Sequence, residues 1–114
     1  MKINENAYVV RTTNADLVQG QAVKAVSDTV VSPATVDETY FGVAGDAATS
    51  GSEATIYVRG FGGLVPVKLA TNVVTGGNLY VTGSTAYFKA TGTTVNGIAM
   101  VSGSAGDVIS ATIR

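Results

Sequence analysis

The 114-residue sequence contains no cysteine, no histidine and no tryptophan. Without cysteine there is no disulfide framework and no thiolate chemistry, which suits assembly in a reducing cytoplasm. Without histidine there is no Ser–His or Cys–His nucleophile pair and no imidazole metal site. Serine is plentiful, yet no Gly-x-Ser-x-Gly elbow is present, and Ser50-Gly51-Ser52 sits in a hairpin-like context unsuited to a nucleophile. The carboxylates Glu5, Asp16, Asp28, Asp37, Glu38, Asp46, Glu53 and Asp107 are spread along the chain. Asp37 and Glu38 alone are adjacent, and neighbours on a strand point to opposite faces. No tryptophan offers a stacking platform for a sugar. The chain therefore reads as non-catalytic, with no cofactor, no metal and no small-molecule substrate.

Charge is also scarce. Asp, Glu, Lys and Arg make up 13% of the residues, against about 25% in ordinary soluble domains. Seven basic residues nearly balance eight acidic ones. Lys2, Arg11, Lys24, Arg59, Lys68, Lys89 and Arg114 are scattered, so no basic stripe tracks a phosphate backbone and nucleic acid is not an expected partner. No apolar run approaches the roughly 20 residues of a membrane helix, and no charged segment leads into a signal-like stretch. Hydrophobic residues nevertheless reach 46%. Contact with other protein surfaces would cover so apolar and weakly charged a chain. The alternative is a well-buried core beneath a plain Thr/Ser/Gly exterior.

What the chain does have is β-forming residues and glycine. Val, Thr, Ile and Tyr are abundant, and fourteen Gly cut the sequence into short pieces. Turn-like clusters fall at Thr49–Ser52, Gly60–Gly63, Thr75–Asn78, Thr91–Thr94 and Ser102–Asp107. This spacing predicts an all-β sandwich or small barrel. Period-two alternation puts Ala54, Ile56 and Val58 on one face of a strand, Val65, Val67 and Leu69 on another, and Ile109, Ala111 and Ile113 on a third. Further strands are expected near Tyr8–Thr12, Gln21–Val26, Tyr40–Ala44, Asn78–Thr82, Ala86–Lys89 and Gly97–Val101. Pro66 cannot donate to a ladder and predicts an edge or bulged strand. Ala15–Val26 has some helical capacity, interrupted by Gly20.

Residues 1–16 read as an extended N-terminal arm preceding a β-domain over residues 17–114. Within the arm, Tyr8-Val9-Val10 followed by Arg11 is a short β-capable segment between polar flanks. It either pairs with the domain's own sheet or adds a strand to a neighbour. Gly60-Phe61-Gly62-Gly63-Leu64 lacks the lysine and following helix of a phosphate loop. It presents Phe61 and Leu64, which either cap the core or meet a partner. Tyr8, Val9, Val10, Arg11, Phe61 and Leu64 are thus the candidate partner contacts. Ala99-Met100 resembles the dipeptide of biotinyl and lipoyl carriers, but Val101 stands where the modified lysine would be.

The chain also repeats itself. Gly42-Val43-Ala44, Gly51 and Val58-Arg59 match Gly97-Ile98-Ala99, Gly106 and Ile113-Arg114. Gly20-Gln21-Ala22-Val23 has a looser counterpart in Gly77-Asn78-Leu79-Tyr80. The reading is two similar β-halves sharing one core. Gly42 and Gly97 would allow close backbone approach, and Gly51 and Gly106 would hold positive φ in hairpin turns.

The ordered set Gly20–Val23, Tyr40–Ala44, Gly51, Ile56–Gly60, Gly77–Val81, Asn96–Ala99, Gly106-Asp107 and Ala111–Arg114 resembles the capsid cement or head decoration proteins of tailed bacteriophages. The resemblance implies a virion protein on the outer capsid surface, assembled in the host cytoplasm. It implies a homotrimer that bridges neighbouring major capsid protein subunits and stabilises the shell. An alternative from another class is a carbohydrate- or cell-surface-binding β-module of a phage fibre or surface layer, which would need Tyr57, Tyr80 and Tyr87 in an exposed patch.

Overall fold

The computed structural model describes residues 8–35, 40–60, 62–81 and 83–114. Among these residues the structure is all β. Ten strands run in the order β1 (Tyr8–Thr13), β2 (Ala22–Ala25), β3 (Val30–Pro33), β4 (Tyr40–Ala44), β5 (Glu53–Val58), β6 (Val65–Lys68), β7 (Asn78–Val81), β8 (Phe88–Lys89), β9 (Gly97–Ala99) and β10 (Val108–Ile113). The expected strands are present. β3 is an addition that the alternation did not signal. Ala15–Val26 contains no helix; its first part is a turn and its second part is β2. Pro66 lies on β6, at the edge of the second sheet's strand order as its missing N–H requires.

The two halves share one topology. The first five strands form a closed barrel in the order β1-β3-β2-β4-β5. The last five form a curled five-stranded sheet, a half-barrel with the corresponding strand neighbours, β6-β10-β9-β7-β8. Equivalent registers confirm the duplication. Gly42 faces Val58 as Gly97 faces Ile113, and Val9 faces Ile56 as Val65 faces Ala111. The parallel pair Thr13 and Val31 recurs as the bridge between Leu69 and Phe88. A Cβ on Gly42 would strike the carbonyl of Tyr57, and one on Gly97 the carbonyl of Thr112. The close backbone approach expected at these glycines is therefore present in both halves.

Within each half the unit repeats again. Leu17 bridges Ala48, and Val73 bridges Gly103. Three residues after each of the four lies a glycine at positive φ: Gly20 (85°), Gly51 (89°), Gly76 (82°) and Gly106 (91°). Each sits third in a turn closed by Gln21 N–H to Val18 O, Ser52 to Thr49, Gly77 to Val74 and Asp107 to Ser104, at 2.9–3.2 Å. A type II turn demands this conformation, which a Cβ disfavours. Each glycine N–H donates across to the partner unit, to Ala44, Thr13, Ala99 and Leu69 respectively. Gly20 is thus the counterpart of Gly76, not of Gly77 as sequence matching suggested. The positive φ decides the alignment.

The interiors are apolar. Leu17, Val23, Val31, Ala44, Ala54 and Ile56 fill the first barrel, with Val9, Phe41 and Ala48 packed against them. Leu79, Phe88, Ala99, Ile109, Ala111 and Ile113 fill the second, joined by Ala22, Ala34, Tyr40 and Val43 from the first half. The second half cannot bury its core alone. Its seam between β6 and β8 is held by one parallel bridge, and the first half's Gly20–Ala22 segment lies along it. Lys68 N–H donates to Gly20 O (2.9 Å), Ala22 N–H to Ala86 O (2.8 Å) and Gln21 Nε2 to Thr85 O (3.0 Å). In the first barrel Thr12 N–H, the counterpart of Lys68 N–H, closes the seam internally on Thr29 O (2.9 Å).

Candidate docking surface

Of the expected arm, residues 8–13 form a strand of the barrel. Tyr8–Thr12 pair antiparallel with Tyr57–Glu53, and Thr12–Thr13 pair parallel with Val30–Val31. Of the two outcomes for this segment, the structure has pairing with the chain's own sheet. Residues 1–7 lie outside the described residues. Alternation along β1 splits the candidate contacts. Val9 turns inward against the first core, while Tyr8 and Val10 are 44% and 46% exposed. Arg11 lies half-buried, and its guanidinium donates to Val10 O at 2.9 Å.

Leu64 is 59% exposed, so it does not cap the core. Phe61 lies outside the described residues. Leu64 lines a groove of about 390 Å3 between the halves, with Gln19, Gly45, Asp46, Tyr57, Pro66 and Val108. Tyr57 meets Tyr8 edge-on at 6.5 Å between ring centroids, and its ring lies against Gly45. Tyr57 thereby links two candidates distant in sequence, Tyr8 and Leu64, into one partly apolar face across the seam.

A second apolar face was not anticipated. Val74 is 69% exposed, and Met100 and Val101 are also exposed. Thr75 N–H donates to Ser102 Oγ at 3.1 Å, and Gly76 N–H to Ala99 O at 2.7 Å, which sets these residues side by side. The first half carries Gly45 and Asp46 where the second has Met100 and Val101. The available signal was apolar residues in turn positions, where polar ones are the rule.

The three tyrosines of the carbohydrate alternative go to separate neighbours. Tyr57 meets Tyr8, Tyr80 packs over Gly92, and Tyr87 receives the Lys68 ammonium 5.7 Å from its ring centroid. Carboxylates serve the turns. Asp16 accepts from Ser50 N–H (2.8 Å), and Asp107 from Ser104 N–H (2.9 Å). Asp37 and Glu38 lie outside the described residues. Among the described residues no three of His, Cys, Asp and Glu gather where a metal ion would fit, and no helix is long and apolar enough to cross a membrane.

One buried polar group joins the halves. The Tyr40 ring lies edge-on to Phe88 at 6.2 Å, with the Arg59 guanidinium 4.9 Å from its centroid. Its hydroxyl lies 2.8 Å from Arg114 O and 2.9 Å from Asn96 O. Burial pushes the hydroxyl well above the usual tyrosine range, against smaller opposing pulls from Arg59 and the bond to Arg114. Tyr40 is a neutral structural clasp, which excludes it as a base near neutral pH.

No known family profile matches the chain, and no curated protein is similar in sequence. Among solved structures the fold does have a counterpart. The chain is similar to the protein described as "head fiber gp8.5 N base in bacteriophage phi29", with TM-score 0.69 and 18% identity, over 94% of this chain and 92% of that one.

Proposed function

We propose that this protein is a structural, non-catalytic component of a bacteriophage head. It docks on the outer capsid surface and reinforces contacts between major capsid protein subunits. The observation that carries the reading is the end-to-end similarity of fold to a phage head-fibre base. Fold does not fix function, so support must also come from surface and chemistry. The partly apolar face around Tyr8, Tyr57 and Leu64 and the apolar face around Val74, Met100 and Val101 would give it more than one contact with a lattice. Repetition on a symmetric shell converts weak individual contacts into firm attachment. A protein that binds only the expanded lattice stabilises that state by mass action. In this reading the protein acts as a homotrimer, with Tyr8, Val10 and Leu64 among its contacts and residues 1–7 as an arm reaching the neighbouring subunit.

A second reading is favoured by the likeness of fold to a head-fibre base. Here the chain is the base that fixes a fibre to the head, and reinforcement is incidental. Purified expanded heads mixed with the protein should show saturable co-sedimentation that unassembled capsid subunits do not. Heat-induced release of genome should shift upward if reinforcement is the role, and stay unchanged if the protein is only a base. No binding to heads would overturn both readings. Deleting residues 1–7 tests the arm without removing β1. Unchanged head affinity in that variant would remove the arm from the proposal.

A further inference from the structure

The halves differ at one end of their barrels. In the second, Val67, Val81, Phe88 and Asn96 are all fully buried, and Tyr40 of the first half packs at this end. Its ring meets Phe88, and its hydroxyl meets the carbonyls of Asn96 and Arg114. The registers place Arg11, Ala25, Val31 and Phe41 at the equivalent positions of the first barrel. There they line an open cavity of about 310 Å3, together with Ser27 and Asp28. Among the described residues none takes the place that Tyr40 takes in the second half.

We propose that this open mouth is a socket for a tyrosine side chain of a partner polypeptide, inserted as Tyr40 is inserted into the second barrel. The argument is continuity with the interface inside the molecule. That interface is heterologous: the surface the first half presents differs from the surface it meets on the second. Such an interface leaves its receiving surface on the first half unused. The ring would enter over Ala25 and Phe41, both apolar and accessible. The hydroxyl would meet the carbonyls of Phe41 and Arg59, the counterparts of Asn96 and Arg114; Arg59 N–H bonds Phe41 O as Arg114 N–H bonds Asn96 O. Smaller residues leave this mouth wider than the one that already holds Tyr40, with Ala25 where the second half has Val81 and Val31 where it has Phe88. The inference goes beyond the head-docking reading and stands whether or not the partner is a capsid.

Titration of the full chain with N-acetyltyrosinamide, followed by amide NMR, tests it. Saturable shifts are expected at Ala25, Ser27, Val31 and Phe41, with Kd of about 1–10 mM for so small a ligand. N-acetylleucinamide should bind at least about 10-fold more weakly, because it leaves the polar atoms of the site unmatched. Ala25→Leu, at an exposed position that leaves the fold intact, should abolish the shifts. Absent shifts, equal binding of the leucine compound, or shifts that survive Ala25→Leu would each overturn the proposal.

Discussion

The first half closes its barrel with its own strands, whereas the second reaches closure only with a segment from the first. The same turn occurs in both, yet its surroundings differ. At Gly20 a Cβ would collide with the backbone of Val67 and Lys68, while at Gly76 nothing lies within 4 Å. The same end is closed by Tyr40 in one barrel and open in the other. Ala54 and Ile56 in the first interior become Ile109 and Ala111 in the second, so large and small residues trade places within one volume. Duplication thus fixes topology, and divergence assigns each copy its role: one half supplies a wedge and a clasp, and the other receives them.

The sharpest way to break this comparison is at the two turns. Gly20→Ala adds a clash to the strain of positive φ and should cost about 3–5 kcal/mol. Gly76→Ala meets only the conformational penalty of about 1–2 kcal/mol. Equal losses in urea denaturation would show that the Gly20 wedge does not hold the second barrel. Next come the interiors. Ile56→Ala should cost about 2–5 kcal/mol. Adding Ala54→Ile recreates the second half's arrangement and should recover at least about half of that loss through coupling between neighbours. Strict additivity of the two changes would contradict equivalent packing.

A smaller effect is expected at the clasp. Tyr40→Phe leaves two carbonyls without the hydroxyl and should cost about 1–3 kcal/mol. It also sharpens the pH response. A tyrosine whose pKa is raised by folding holds its proton more tightly in the native state. Its stabilisation is complete below the unfolded value of 10.0 and is lost as pH climbs toward the folded value. Thermal unfolding of the parent should therefore weaken above about pH 10, and Tyr40→Phe should weaken less steeply. Parallel curves would remove Tyr40 as the source. The smallest effect is expected at Thr13, buried where the second half has Leu69. Its hydroxyl donates to Ala15 O (2.6 Å) and accepts from Ala15 N–H (3.3 Å). Thr13→Val should cost about 1 kcal/mol by equilibrium unfolding, and an unchanged midpoint would show that these local bonds add nothing.

Much of this was legible beforehand. Ile56, Val67, Ile109 and Ala111 announce inward faces by period two, and Gly42, Gly51, Gly97 and Gly106 announce the backbone features they carry. β3 was hidden because Val30-Val31-Ser32-Pro33 is too short and mixed to alternate. Of the candidate contacts, Leu64 is exposed, and on β1 Tyr8 and Val10 are exposed whereas Val9 faces the core, a division that the alternation of β1 contained. The Val74, Met100 and Val101 face escaped notice because adjacency between two turns is a long-range fact.

The sequence by itself determined that this is an all-β chain of two related halves, because side-chain alternation and positive-φ glycines act within a few residues of each other. Only the tertiary structure decided which Gly turn is driven into a neighbouring seam, which barrel receives Tyr40 and which mouth stays open. Those outcomes depend on how two nearly equivalent units meet, and turns with the same local conformation carry no local record of which one will be buried.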